Sequence, residues 1–235
     1  MTTTAHDNMS FLEHLEELRW HVIRSLIAII SAGFICFLMK DFIFDTIIFG
    51  PKKMDFPTYK FLCQAATFIG VETTFCGDEF PFVVQNRTMA GQFSAHVMTS
   101  VIAGFIISFP YVLYEFWKFI SPGLLAKEKS KSRGFIFISS LLFFIGVLFG
   151  YYIICPLSIN FLGTYQVSSE VLNEIDLGSF ISLVRSSAIA SGIIFELPII
   201  IYFLTKAGVV TPKSLVKYRK YALVLVLILA AIITP

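Results

Sequence analysis

The sequence predicts an all-α, polytopic integral membrane protein, and three observations carry that prediction. Hydrophobic residues fill 56% of 235 positions and charged residues only 14%, where a soluble domain carries roughly a quarter charged residues. Phe alone supplies 26 residues and the mean hydropathy is +0.79, more apolar side chain than a soluble globule of this size could bury. The apolar residues also fall in runs that, at about 1.5 Å per helical residue, cover most of a ~30 Å hydrocarbon core. A net charge of +2 is too small to argue for nucleic acid.

The first element starts in "SFLEHLEELRWHVIR", residues 10–24. Ser10-x-x-Glu13 has the form of a capping box, in which hydroxyl and carboxylate each satisfy a free backbone donor. Leu12, Leu15, Leu18 and Val22 recur at helical spacing, which predicts an amphipathic helix lying at the membrane surface and turning into a first span at about 22–40. Glu16 can pair with Arg19 at i+3 and Glu17 faces His21 at i+4. Glu17 is then the acid without a full-time cation in its own helix. The flank is acidic and no small-residue cleavage site closes the run, so this helix is expected to stay in the mature protein.

Residues 41–96 hold Pro51, Pro57, Gly70, Gly77 and Pro81 and read as irregular structure followed by a helix leading into a second span at 97–120. Cys63 and Cys76 in this loop are a candidate disulfide, worth about 3 kcal/mol for a loop of this size. Free thiols are the equal alternative, because spacing alone does not supply their separation. A third span is expected at 134–156, ended by Pro156, and a fourth at 186–205. "YALVLVLILAAIIT" at 221–234 is a fifth, reaching about 21 Å. No repeat or soluble domain interrupts, so residues 1–235 are expected to form one membrane domain.

Cations set the orientation. Positions 118–133 hold Lys118, Lys127, Lys129, Lys131 and Arg133, and positions 206–220 hold Lys206, Lys213, Lys217, Arg219 and Lys220. By the positive-inside rule both basic loops are cytoplasmic, which places the amino terminus in the cytoplasm and the 41–96 and 157–184 loops outside.

The sequence has no GxxxxGK[ST] loop, HExxH, GxSxG or paired CxxC. An enzyme, a metal site or a bound cofactor is therefore not expected. The informative groups are carboxylates. Glu196, in "SGIIFELPII", lies within the fourth span, where a charge costs about 2.5–3.5 kcal/mol on insertion scales. Protonating it at pH 7 would cost roughly 3.7 kcal/mol, so a functional or partnered role is the default, beside a structural hydrogen bond to a neighbouring helix. Pro198 is expected to kink the helix next to it. Glu115, near Tyr114, Trp117 and Lys118, sits at the interface, where an ion pair with Lys118 at i+3 stands level with a functional role. Glu128 is a single acid among Lys127, Lys129, Lys131 and Arg133. The predicted topology puts it on the same membrane face as Glu17, where two carboxylates could each take a guanidinium bidentately.

Three motifs in this order, "SFLEHLEELRWHVIRSL", "FPYVLYEFWKFISPGLLAKEKS" and "SGIIFELPII", closely resemble the C subunit of the twin-arginine protein translocase, the TatC family. The resemblance covers nearly the whole chain. It implies a cup-shaped bundle of six spans, five of them visible here, in the bacterial cytoplasmic (inner) membrane. It implies a receptor for signal peptides that carry two adjacent arginines, working with single-span TatA/TatB-type subunits and with further copies of itself to export folded proteins on the proton-motive force. The family's signal-binding acids fall on Glu17 of "LEELR", beside Arg19, and on Glu128 of "KEK"; its intramembrane acid falls on Glu196.

The sequence departs from the family in three places. His21 stands where a second arginine is frequent, so charge on that face depends on pH. The loop bearing Cys63 and Cys76 is long, and the printed sequence stops at "IITP", where the family continues with a Pro-Asp turn and a sixth span. A proton-coupled secondary transporter using Glu196 is the alternative, although it leaves Glu17 and Glu128 unexplained.

Overall fold

The computed structural model describes residues 11–70, 74–77, 80–120, 132–168, 170–171, 173–206, 211 and 218–233. The chain separates into two compact units, one built from residues up to 38 with 100–140, the other from 39–99 with 141–235. Among the described residues, four helical stretches are long and apolar enough to cross a membrane: Leu15–Leu38, Gly91–Ile120, Gly134–Thr164 and Leu177–Thr205.

In the first unit, helix α1 (Phe11–Leu38) is continuous over 28 residues, about 42 Å. The expected turn between a surface helix and the first span is absent. Between Phe11 and Ala32 the sequence has neither Gly nor Pro, so nothing local ends the helix. The Ser10 cap lies outside the described residues. One side of α1 leaves Ile27, Ile30, Phe34 and Leu38 between 61% and 68% exposed, a surface suited to lipid rather than water.

Helix α1 packs on the Ser100–Ile120 portion of the helix named here α3 (Gly91–Ile120) through small residues. Ser100, Gly104 and Ser108 recur every four positions along α3. A Cβ on Gly104 would lie 2.5 Å from the Gly33 nitrogen and 2.6 Å from the Ile29 carbonyl oxygen. Ser108 Oγ donates to the Ala28 carbonyl at 3.0 Å. Such stripes let spans meet backbone to backbone where lipid removes the hydrophobic drive between helices. Pro110 sits inside α3 without ending it, and Trp117 packs on Phe135 at 4.4 Å between ring centroids.

The second unit starts with a π-helical stretch (Phe42–Ile48) and a 3₁₀ turn (Gly50–Lys52). Helix α2 (Pro57–Ile69) follows, with proline in its first turn, the place where a missing N–H costs nothing. The structure thus puts a helix where the sequence reading had irregular loop. Tyr59 anchors it: fully buried, its hydroxyl lies 2.9 Å from the Pro51 carbonyl oxygen and 3.0 Å from that of Pro156. Burial pushes the Tyr59 phenol above its ordinary range. Cys63 and Cys76 are joined, S–S 2.12 Å. Strand β1 (Val83–Gln85) pairs in parallel with β2 (Glu174–Asp176), Val84 opposite Ile175.

Pro156 does not end the third apolar stretch. Helix α4 (Ser132–Phe149) runs through a π-helical turn (Gly150–Ile154) into α5 (Cys155–Thr164). The widened turn leads into α5 with Pro156 in its first turn, where the absent N–H breaks no ladder. Helix α6 (Leu177–Phe195) starts nine residues before the expected fourth span. Asp176 caps it, its carboxylate accepting from Gly178 N at 2.8 Å and Ser179 N at 3.3 Å. Two matched pairs of small residues hold α4 and the π-helical turn to α6. A Cβ on Gly150 would lie 2.2 Å from the Ser187 carbonyl oxygen, and one on Gly146 2.8 Å from that of Ser191. After Glu196 the chain continues as α7 (Leu197–Lys206), and α8 (Arg219–Ile233) spans 15 residues, about 22 Å.

Candidate functional site

The first unit brings four ionisable side chains together along α1 and the end of α3. His21, 6% exposed, and Glu115, 3% exposed, face each other with Nδ1 2.5 Å from Oε2. Arg24 Nη1 lies 4.0 Å from the same carboxylate oxygen. Glu17, one turn before His21, places Oε1 4.0 Å from Nε2 of the ring. A buried carboxylate requires such company, because leaving a charge without partners in low dielectric costs several kcal/mol.

This geometry corrects two local pairings. Glu115 does not pair with Lys118. The Glu115 carboxylate is directed instead onto α1, where His21 and Arg24 lie. Glu16 makes no ion pair with Arg19 among the described residues. Arg19 lies over the Trp20 ring at 5.7 Å, an arrangement that keeps both side chains at the surface. The Glu17–His21 approach at i+4 matches the spacing argument.

Glu17 is 36% exposed at its side chain while Glu115 is sealed. Of the two acids, Glu17 alone has a face that an outside cation could reach. Glu128, with Lys127, Lys129 and Lys131, lies outside the described residues, so the structure does not report its distance from Glu17. Glu196 belongs to the other unit. It is 8% exposed and stands at the junction of α6 and α7, where Pro198 offers no backbone N–H to continue the ladder.

Two participants escaped the sequence reading. Arg24 was passed over as part of the apolar run, although it completes the charge set around Glu115. Arg185 lies within the fourth apolar stretch, its Nε and Nη1 enclosed and without a hydrogen-bond partner among the described residues. Its charge is legible in the sequence, but it falls between the expected loop, which ends at 184, and the expected span, which starts at 186. Among the described residues no group of His, Cys, Asp and Glu is placed to hold a metal ion.

Long apolar helices fastened by small-residue contacts within each unit, with a charge cluster at the start of one helix and the end of another, define a polytopic helical membrane protein. Comparison with known proteins makes the class specific. The model of the family described as Sec-independent protein translocase protein (TatC) matches residues 13–235. The Sec-independent protein translocase protein TatC of Blattabacterium sp. subsp. Periplaneta americana (strain BPLAN) is 46% identical over 230 residues, covering 97% of this chain and 86% of that protein. The one from Aquifex aeolicus (strain VF5) is 34% identical over 230 residues, covering 97% and 85%. A crystal structure of the twin arginine translocase receptor TatC in DDM superposes with a TM-score of 0.73 at 33% identity, over 95% of this chain and 89% of that one. The chain belongs to the TatC family and is a component of Sec-independent protein translocation.

Proposed function

We propose that this chain is the signal-peptide receptor and core subunit of a twin-arginine translocase in a bacterial cytoplasmic membrane, with its amino terminus in the cytoplasm. Folded precursors carrying two adjacent arginines are its ligands, single-span TatA/TatB-type subunits and further copies of itself are its partners, and the proton-motive force drives export. The chain acts as one membrane domain and performs no covalent chemistry of its own. The observation that supports this reading best is the division of labour between two neighbouring acids. Glu115 is buried against His21 and Arg24, whereas Glu17 keeps an accessible face. An exposed carboxylate is suited to the planar fork of a guanidinium, which a lysine cannot reproduce. Glu128 supplies the second carboxylate, Arg19 borders the first, and Glu196 acts away from recognition, in export or in contact with a partner span.

The test is a titration of a labelled twin-arginine signal peptide against the assembled translocase, repeated with Glu17→Ala and Glu128→Ala and with a twin-lysine peptide. Both substitutions and the lysine peptide are expected to weaken binding about tenfold or more, the size of a lost charge-assisted pair. Equal binding in all cases overturns the receptor reading. Glu196→Gln is expected to spare peptide binding and impair export.

A further inference from the structure

One imidazole is strung between two carboxylates. His21 Nδ1 lies 2.5 Å from Glu115 Oε2, and Nε2 lies 4.0 Å from Glu17 Oε1. The remaining groups around this pair are Arg24, 4.0 Å from the Glu115 carboxylate, Tyr111 on α3, whose phenol faces Glu115 one turn earlier, and the edge of Phe119 at 6.2 Å from the ring. No other titratable group among the described residues is paired with His21.

The Glu115 contact decides what the opposite nitrogen can do. Glu115 accepts from Nδ1–H, so the ring is anchored and cannot swing away. A second proton then sits on Nε2, directed at Glu17. With that proton the ring is a cation and Glu17 has an ion-pair partner in its own helix. Without it, Nε2 offers a lone pair and Glu17 carries an uncompensated negative charge. Histidine is the side chain whose charge changes between pH 5 and 8, and an arriving guanidinium competes with an imidazolium for one carboxylate.

We infer that His21, latched by Glu115, is a positioning residue for recognition: an internal counter-cation that occupies Glu17 until a signal-peptide arginine takes its place. Its proton sets how firmly that arginine is held. The inference rests on the reading of Glu17 as a recognition carboxylate. His21 acts through Glu17 and needs no contact with the peptide. An arginine at position 21 would hold Glu17 at every pH, and a glutamine at none.

The experiment is a titration of a fluorescein-labelled twin-arginine signal peptide against the full chain assembled with its single-span subunits, from pH 5.5 to 8.5. A twin-lysine peptide supplies the baseline for general charge effects. Native affinity above that baseline is expected to tighten about threefold as pH rises, the size an exposed ion pair supports. His21→Gln is expected to flatten the profile at the native high-pH affinity, and His21→Arg to flatten it at the native low-pH affinity or below. Glu115→Gln, which keeps a hydrogen-bond acceptor but removes the counter-charge, should reduce the slope. A flat native profile, or a native slope in His21→Gln, overturns the inference. If His21→Gln does not assemble, the slope of His21→Arg decides: flat supports, native-like overturns. Glu17→Gln separates the two levels. Lost binding there with a native slope in His21→Gln removes only the role of His21, whereas retained binding removes Glu17 as the recognition group.

Discussion

Gly104 meets Gly33 so closely that a Cβ on Gly104 would stand 2.5 Å from the Gly33 nitrogen, inside any van der Waals separation. The obstacle is backbone on a neighbouring helix, which cannot rotate away as a side-chain tip can. Gly104→Val is expected to destabilise by about 1–3 kcal/mol, the usual cost of overpacking. Thermal unfolding of the purified protein in detergent measures it, and an unchanged midpoint would show that the α1–α3 seam is loose.

Tyr59 joins three parts of the second unit through one hydroxyl, set between the carbonyls of Pro51 and Pro156. Tyr59→Phe keeps the ring stacked but removes the one donor that ties these two carbonyls together. We expect a loss of about 1–3 kcal/mol, read as faster proteolysis of the 41–96 segment. Because burial raises this phenol above its ordinary range, its ionisation should lag behind the exposed tyrosines in an alkaline ultraviolet titration. The sign follows from linkage: stability held by the protonated phenol is present below its unfolded pKa and lost only as pH climbs through the raised folded value.

The Cys63–Cys76 bridge closes a loop with a sequence separation of 13. Cys63→Ser is expected to cost about 3 kcal/mol by the loop-entropy estimate. The effect should be local, with α2 more readily cleaved and binding at the Glu17 end unaffected. Comparing cleavage of native and Cys63→Ser protein with and without reductant checks it: reductant should bring the native protein to the rate of the variant.

Arg185 carries enclosed guanidinium nitrogens without a hydrogen-bond partner among the described residues. Arg185→Met keeps much of the aliphatic length and removes the desolvated charge. It is expected to leave thermal stability equal or up to about 1 kcal/mol higher, since replacing a buried charge by a well-packed apolar group is commonly neutral or better. A fall in the unfolding midpoint would show that the charge is compensated within the fold.

Much of the helical plan was legible because lipid demands long apolar runs, and composition reports those directly. The boundaries were less so. Pro156 looks like a terminator in one dimension, and only the π-helical turn before it shows how the chain sets proline in a first turn without stopping. Helix α2 was hidden by its flanking prolines and by a buried face that needs the third stretch to exist. At the charge cluster, i+4 spacing found Glu17 with His21, a relation internal to one helix. The decisive contact, His21 with Glu115, joins residues 94 positions apart. It was nevertheless within reach: the positive-inside argument already set the start of α1 and the end of α3 on one membrane face, and a buried acid near one end calls for a cation near the other.

The unbroken course of α1 has a mechanical meaning. A helix with no glycine or proline from Phe11 to Ala32 behaves as a rod. Glu17 and Gly33 are 16 residues apart on it, about 24 Å. On the proposed reading of Glu17, a ligand that tugs on this residue applies torque at the glycine seam, and no hinge lies between the two points to absorb it.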